Sequence, residues 1–441
     1  YKIFGVHEVF GRLISIGFSL GTIAVARAFA RWTFASRLAG CIAALGFAIY
    51  PGSVYYGRTF MPDTAMTFFF SAAVFAAARW IYDDEELGFG RRFATAATLA
   101  ALALLAKPVA AVGLVPIFGM LIARNGLGRT LRAPATYAFA AIALGPYLAY
   151  DAYVNSIAEW HWASGITNRH VLPSLAQAFR SPEAFHLKLS AFKGALGMLA
   201  TTMLGPAGFG AFVLAIALSI VLPAPARSRV VIFAWLAAAL AYAYVVVTVE
   251  RVDYYLYPFL PLAALATGGL AESVRRLLPA GWPRLLALGA GAAVAFAALV
   301  SGRAQVAPYY RYSKTVYRQA KALNVTLPAG LVVMGHYDPS VLYYIGRKGW
   351  EEDPYLWTPF DEQSAIRKGA RAFVAVEANR LARNVELSAW LERFPIANPK
   401  AKWPVYLTDP NEVLPGAEER WREFRRREKL GASQKRGAQN L

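Results

Sequence analysis

Five charged side chains stand at the junctions between long apolar runs of the sequence: Arg58, Asp63, Lys107, Arg251 and Asp253. A charge at membrane depth is costly unless it faces water, a partner or a ligand. A cation at such a junction can hold the phosphate of a lipid. The loop from Arg58 to Asp63 carries a positive and a negative charge within a few residues. These charges, too, must face water, a partner or a ligand.

Simpler interpretations of the first charges remain open on the residues alone. Asp63 follows Pro62, and proline followed by aspartate is an ordinary way to begin a helix. Lys107 precedes Pro108 between two apolar runs, and its ammonium could extend outward to the lipid headgroups. The proximity of Arg58 and the position between two apolar spans speak against a plain cap at Asp63.

The densest group of charges lies in the stretch 250–258, which contains Arg251, Asp253, Tyr254 and Tyr255. Tyrosines are common at membrane interfaces and mean little by themselves. A local salt-bridge network would account for the charges. The alternative is that this stretch forms part of a functional site.

The composition indicates the elements that must position these groups. Hydrophobic residues make up 57% of the 441, charged residues 17%, and the mean hydropathy is +0.37. These values predict a polytopic α-helical membrane protein. The net charge of +19 is spread over the ends of the apolar runs, which argues against nucleic-acid binding. The single cysteine, Cys41, excludes a disulfide framework.

Helix-length apolar runs predict about ten spans in the first two-thirds of the chain. They lie near 10–30, 37–55, 63–81, 93–107, 108–123, 134–152, 198–222, 230–249, 254–272 and 284–302.

The loops between these spans alternate in charge. Every second loop is rich in arginine, and the positive-inside rule makes those loops cytoplasmic. They contain Arg27, Arg31, Arg37, Arg91, Arg92, Arg124, Arg129, Arg132, Arg227, Arg229, Arg275, Arg276 and Arg284. The other loops carry the isolated cations Arg58, Lys107 and Arg251. The five charges named first therefore fall on the outer face.

A long polar loop, 153–197, is predicted on the same outer face. It mixes aromatic residues with cations, which fits interfacial helices on the outer leaflet. His161 and His170 lack partners at useful spacing, so no metal site is predicted there.

From residue 303 to about 420 the sequence predicts a small, water-soluble α/β domain. Strands are expected at 331–335, 372–376 and 405–408, with helices at 340–346 and 385–393. The sequence His336-Tyr337-Asp338 follows the first strand and is a weak candidate for a binding loop. Residues 421–441 are basic and are predicted to form a solvated helix end followed by a disordered tail, with contact to anionic lipids as the alternative.

The order of these features resembles the membrane glycosyltransferases of the C superfamily. The resemblance is strongest to the bacterial branch related to protein O-mannosyltransferases and the lipid A aminoarabinose transferase. It rests on the stretches 4–14 (FGVHEVFGRLI), 57–63 (GRTFMPD), 104–108 (LLAKP), 250–258 (ERVDYYLYP) and 343–350 (YYIGRKGW). It spans nearly the whole chain.

The resemblance implies an enzyme that takes a sugar from a polyprenyl-phosphate carrier and transfers it, with inversion, at the outer face. By position, Asp63 looks like a catalytic carboxylate and Arg58 like its orienting or phosphate-binding neighbour. Lys107, Arg251 and Arg169 look like phosphate-binding cations. Asp253, Tyr254 and Tyr255 are candidates for the cavity wall.

The resemblance also sets expectations for partners. The partners would be membrane lipids, the lipid-linked sugar and an acceptor that is a lipid, a protein or a glycan. No cofactor is predicted with certainty, and the use of a divalent metal is left open. The location implied is a bacterial inner membrane, with the C-terminal domain outside.

One difference from the family concerns the beginning of the chain at Tyr1. The family's first outer loop, with its acidic catalytic residue, precedes the first span seen here. We therefore expect a fragment in which Asp63 is the partner of that carboxylate.

The main alternative is a transporter or flippase of a polyprenyl-linked substrate, although no internal repeat of that class is visible. A non-catalytic lipid-binding scaffold is a further alternative.

Overall fold

The computed structural model describes residues 7–157, 172–222, 225–336 and 340–438. The protein is mostly helical, with one small mixed sheet. Two compact units divide the chain, Tyr1–Tyr310 and Arg311–Leu441. The division falls a few residues after the domain boundary that the sequence predicts near 302.

In its described residues, the first unit consists of helices with 3₁₀ and π-helical segments between several of them. The helices are α1 (Glu8–Phe34), α2 (Arg37–Ile49), α3 (Pro51–Tyr56), α4 (Asp63–Asp83), α5 (Arg91–Ala106), α6 (Leu114–Asn125), α7 (Leu127–Arg132), α8 (Pro134–Ser156), α9 (Leu172–Ala178), α10 (Pro182–Met198), α11 (Pro206–Val221), α12 (Ala226–Tyr242), α13 (Thr248–Glu250), α14 (Phe259–Leu277) and α15 (Trp282–Val306). The 3₁₀ segments are Pro108–Gly113, Asp253–Leu256 and Ala307–Tyr310, and the π-helical segments are Leu199–Met203 and Ala243–Val247.

Several stretches are long and apolar enough to cross a membrane. In the part of the chain that the structure describes there are five: Glu8–Phe34, Asp63–Asp83, Pro108–Asn125, Ala226–Glu250 and Trp282–Thr326. A sixth results if Pro182–Met203 and Pro206–Val221, which meet at 116°, form one broken span. The multi-pass helical class is therefore supported, whereas the count of about ten spans stays a prediction.

Helix α14 packs very closely against α2. A Cβ atom added at Gly268 would lie 2.5 Å from the carbonyl oxygen of Ala39. Small residues at helix contacts allow such an approach, which is typical of helices packed in membranes. The contact lies in the middle of α14, the helix that follows the segment Asp253–Leu256.

Arginines of the predicted cytoplasmic loops bind groups of the protein itself. Arg227 donates a hydrogen bond of 2.8 Å to the carbonyl of Trp32, and Arg275 and Arg276 both pair with Glu272 at 2.7 Å. Glu272 also accepts a 2.6 Å hydrogen bond from Ser36. These contacts are structural, because each joins an arginine or a serine to another group of the chain, and the sidedness of the loops stays a prediction.

The second unit is a four-stranded sheet flanked by helices. Its elements are α16 (Lys314–Thr326), β1 (Leu331–Gly335), α17 (Ser340–Ile345), β2 (Gly349–Glu352), α18 (Pro359–Arg367), β3 (Ala370–Val374), α19 (Ala378–Arg383), α20 (Val385–Leu391), β4 (Val405–Tyr406) and α21 (Ala417–Ala438). The strand order is β2-β1-β3-β4, with β1 parallel to β2 and β3, and β4 antiparallel to β3.

Two features of this unit differ from the sequence prediction. Strand β2 was not predicted, because a short run with two glutamates lacks an apolar alternation, yet such strands are common at sheet edges. Helix α21 continues to Ala438, through most of the stretch for which we expected disorder. An ion pair between Arg427 and Glu423, one turn apart, supports it.

Candidate functional site

The carboxylate of Asp63 is the most deeply buried of the five charges. Asp63 is the first residue of α4, and its side chain is 2% exposed. The residue before it, Pro62, is the N-cap and supplies no side-chain capping hydrogen bond in the described chain. Oδ1 of Asp63 accepts a 2.7 Å hydrogen bond from Nζ of Lys107, whereas Oδ2 is buried without a hydrogen-bond partner in the described residues. Asp63 is therefore the acidic half of an ion pair with one oxygen left over, rather than a plain cap.

Lys107 is mostly buried, and its ammonium group points toward Asp63. The residue is extended where α5 ends before Pro108, and its side chain is 17% exposed. Its Nζ lies 4.7 and 4.6 Å from the ring centroids of Tyr254 and Tyr255, which are stacked on each other. An ammonium over aromatic faces is stabilised by the ring quadrupoles. The tyrosines thus help to hold the cation at Asp63.

Asp253 is bound by phenols and not by a neighbouring arginine. Its buried carboxylate accepts hydrogen bonds from the hydroxyls of Tyr56, at 2.5 Å, and Tyr309, at 2.6 Å. Within the described ranges, no ion pair joins Asp253 to Arg251 or to any other cation. The local salt-bridge network considered for stretch 250–258 is therefore not formed. Asp253 instead joins α3 to the segment Ala307–Tyr310.

Arg58 does not contact Asp63 in the structure. Its guanidinium lies 4.3 Å from the ring centroid of Tyr310, which meets the ring of Tyr55 edge-on at 5.4 Å. Tyr55 also contacts Tyr309, with ring centroids 4.9 Å apart. No direct contact therefore supports the predicted role of Arg58 in orienting Asp63. The cation that contacts Asp63 is Lys107.

Arg251 is exposed and has a left-handed backbone conformation with φ of 52°. This conformation costs a non-glycine residue about 1–2 kcal/mol. It ends α13 and turns the chain into the segment Asp253–Leu256, which brings Tyr254 and Tyr255 over Lys107. The guanidinium makes one long contact of 3.5 Å to the carbonyl of Thr248, and no carboxylate of the described chain pairs with it.

The structure brings part of the predicted set together. Asp63, Lys107, Tyr254 and Tyr255 form one cluster, and the ring of Tyr254 contacts Tyr56 at 6.0 Å, which connects this cluster to Asp253. Arg169 lies outside the described residues, as do Tyr337 and Asp338 of the weak candidate loop.

The sequence analysis did not identify four tyrosines of this region, Tyr55, Tyr56, Tyr309 and Tyr310. Each belongs to a pair of adjacent tyrosines, 55–56 and 309–310. The paired aromatics were the available signal, but interfacial tyrosines are too common in membrane proteins for the pattern to stand out.

The cluster contains one ion pair whose two members depend on each other. Removing Lys107 would leave a buried carboxylate without its counter-ion, so the pair is stable as a unit. The remaining Oδ2 of Asp63 is buried and has no hydrogen-bond partner in the described residues. Among the described residues, no group of three His, Cys, Asp or Glu side chains could hold a metal ion.

Comparison with known proteins adds three findings. Residues 1–149 match the family of dolichyl-phosphate-mannose-protein mannosyltransferases. No curated protein sequence matches the chain. The fold is similar to the crystal structure of ArnT from Cupriavidus metallidurans bound to undecaprenyl phosphate, with a TM-score of 0.52 and 15% identity over 94% of this chain and 87% of that one.

Two further crystal structures are similar. For the apo state of the same ArnT, the TM-score is 0.50 and the identity 14%, over 94% of this chain and 86% of that one. For the oligosaccharyltransferase of Archaeoglobus fulgidus in complex with zinc and sulfate, the TM-score is 0.48 and the identity 13%, over 92% of this chain and 62% of that one.

Proposed function

From a fold that resembles the C superfamily of membrane glycosyltransferases, we propose that the chain transfers a sugar from a polyprenyl-phosphate donor to an acceptor, with inversion. The observation that carries the proposal is the buried Asp63–Lys107 pair with the free Oδ2 atom. The stretch matched by the mannosyltransferase family contains Asp63, Lys107 and Arg58. The similar ArnT structure holds undecaprenyl phosphate, a lipid of the proposed donor class.

In the proposed reaction, Asp63 acts as the base itself and not as the partner of a second carboxylate. The acceptor oxygen bonds to the anomeric carbon as its proton passes to Oδ2 of Asp63. The bond between that carbon and the phosphate oxygen breaks on the opposite face, and the polyprenyl phosphate leaves with the electron pair. Cations stabilise the leaving phosphate as it gains charge. Arg251 is exposed and free of carboxylates in the described chain, which suits this task.

The other site residues take supporting roles in the proposal. Lys107 holds Asp63 in place with one N–H and keeps further N–H groups for a phosphate. Tyr254 and Tyr255 line the cavity beside it, and Asp253 anchors that wall. Arg58 and Arg169 are proposed as additional cations for the donor phosphate.

The proposal includes a location. The chain would cross a bacterial inner membrane about ten times within residues 1–302, with 303–420 forming a periplasmic domain. The tail 421–441 would lie on the same side.

Replacing Asp63 with asparagine tests the function. Asp63→Asn keeps the size of the side chain but removes its basicity, so we expect transfer of radiolabelled sugar from a polyprenyl-phosphate donor to fall by about 10²-fold or more. Asp83→Asn, at the other end of α4, is the matched control and should retain activity. Undiminished transfer by a well-inserted Asp63→Asn protein would refute the catalytic role.

A transporter or flippase of a polyprenyl-linked substrate is the second candidate. The 116° break between α10 and α11 favours it, because transporters often bind substrate at interrupted helices. An assay in proteoliposomes with a fluorescent polyprenyl-phosphate sugar distinguishes a transporter from a transferase. Transbilayer movement without acceptor would favour transport, whereas release of the sugar only with acceptor would favour transfer.

A further inference from the structure

A second buried cation, Lys188, lies on α10 away from the Asp63–Lys107 pair. The residue is 6% exposed. Its Nζ is 3.3 Å from Oγ of Ser174, 3.5 Å from the carbonyl oxygen of Val245 and 5.7 Å from the ring centroid of Tyr244. No carboxylate in the described residues lies within ion-pair distance of it.

These contacts do not compensate the burial of an ammonium group. Charge-assisted hydrogen bonds are typically about 2.7–2.9 Å long, so both contacts of Lys188 are weak ones. Taking an ammonium out of water costs several kcal/mol unless an anion or strong acceptors replace the water. Lys188 therefore has unused hydrogen-bonding capacity and an uncompensated positive charge.

The surroundings of Lys188 offer another donor for an anion. The hydroxyl of Tyr244 is buried and has no hydrogen-bond partner in the described chain. Tyr244 and Val245 belong to the π-helical segment Ala243–Val247, and α10 itself ends at the second π-helical segment, Leu199–Met203. Single π-helical turns often mark functional sites because they shift side chains and carbonyls from their regular positions.

The segment beside Lys188 continues directly into the candidate active site. From Ala243–Val247 the chain passes through α13 to Arg251 and then to Tyr254 and Tyr255, which contact Lys107. Helix α10 packs against both the π-helical segment and α13. An anion held at Lys188 would thus lie against the same connection that carries Arg251.

We propose that Lys188, with the hydroxyls of Tyr244 and Ser174, forms a binding site for the phosphate ester of a lipid. The ammonium supplies the charge, and the two hydroxyls donate to the phosphate oxygens. A phosphate ester of the polyprenyl donor class is the ligand if the proposed function holds. The anion site itself depends only on the contacts of Lys188.

Binding of farnesyl phosphate, with farnesol as its uncharged counterpart, tests the site. The full chain is placed in phosphatidylcholine nanodiscs, and ligand binding is measured by native mass spectrometry. In Lys188→Met the affinity for farnesyl phosphate should fall by about tenfold or more, a loss of one charge-assisted contact, while farnesol binding stays the same. Lys193→Met is the matched control, because Lys193 is an exposed lysine of the same helix.

Further measurements identify the source of the phosphate. For this purpose the nanodiscs also contain phosphatidylglycerol. If Lys188→Met then loses bound phosphatidylglycerol but keeps farnesyl phosphate, the anion site stands with a phospholipid headgroup as ligand, and the assignment to the donor is overturned. If Lys188→Met binds both farnesyl phosphate and phosphatidylglycerol as the native chain does, the proposed site is overturned. Sugar transfer is measured separately on the native chain: absence of transfer together with binding of farnesyl phosphate that depends on Lys188 would refute the proposed function and leave the anion site standing.

Discussion

At the scale of single residues, the pair of Asp63 and Lys107 is the feature on which the candidate site depends. The side chains are 2% and 17% exposed and 2.7 Å apart. Breaking a buried pair by removing one member leaves an uncompensated charge, whereas removing both charges together does not. The burial of the pair therefore leads to a prediction about the stability of the protein, which can be tested separately from the prediction about sugar transfer.

Replacing Lys107 with methionine should destabilise the protein by about 3–5 kcal/mol, because Asp63 is left buried without its counter-ion. The double variant Asp63→Asn with Lys107→Met should recover most of that stability and none of the sugar transfer. Unfolding in detergent micelles measures the first effect and donor turnover the second. A Lys107→Met protein as stable as the native one would show that the pair is not formed.

At the scale of elements, Asp253 joins α3 to the segment Ala307–Tyr310 through two phenol hydroxyls. Tyr309→Phe removes one donor and leaves the buried carboxylate with the other. We expect a loss of about 1.5–3 kcal/mol, the usual contribution of a hydrogen bond to a charged group. Tyr153→Phe, at an exposed site on α8, should change the unfolding temperature little, and equal effects of the two would contradict the anchoring role.

The close contact between α2 and α14 leaves no room for a side chain at Gly268. A methyl group there meets the carbonyl oxygen of Ala39 at 2.5 Å, so Gly268→Ala must separate the helices and should cost about 1–3 kcal/mol. Gly289→Ala is the matched control in α15, where a Cβ has no atom within 4 Å. Thermal unfolding of both variants measures the difference, and a neutral Gly268→Ala would mean that the helices are not so close.

At the scale of the whole molecule, the membrane class and the junction charges were predictable from the sequence, whereas their partners were not. The length of an apolar run and the charge of a loop can be read from residues that are neighbours in the sequence. The pairing of Asp63 with Lys107 joins residues 44 apart, and that of Asp253 with Tyr309 joins residues 56 apart. Both follow from how helices pack, for which the local pattern has no signal. For the same reason Arg58 was assigned to Asp63, its neighbour in sequence.

The second unit contains a buried acid whose protonation affects folding. Glu362 is fully buried, accepts a 3.1 Å hydrogen bond from Nε1 of Trp357, and has a pKa raised by burial to about 8. Burial also raises the pKa of Glu352, to about 7, with help from the carboxylates of Asp361, Asp353 and Glu351. Both glutamates therefore favour the protonated form in the folded state.

The sign of the resulting pH dependence follows from proton counting. Between the ordinary pKa of 4.5 and about 8, the folded unit keeps a proton at Glu362 that the unfolded chain releases. The free energy of unfolding should therefore decrease as the pH rises through this window, by about 4 kcal/mol in total. Glu362→Gln removes this dependence and should stabilise the unit at pH 8.

Hydrogen exchange of strands β1 and β3 in the full chain, corrected for the intrinsic effect of pH on exchange, measures this stability between pH 5 and 8. The native unit should lose protection as the pH rises, and Glu362→Gln should lose much less. A weaker slope below pH 7 remains in the variant because Glu352 still titrates there. Glu386→Gln, at an exposed glutamate of α20, should behave like the native protein. Equal slopes in the native protein and in Glu362→Gln would mean that Glu362 is ionised in the folded unit.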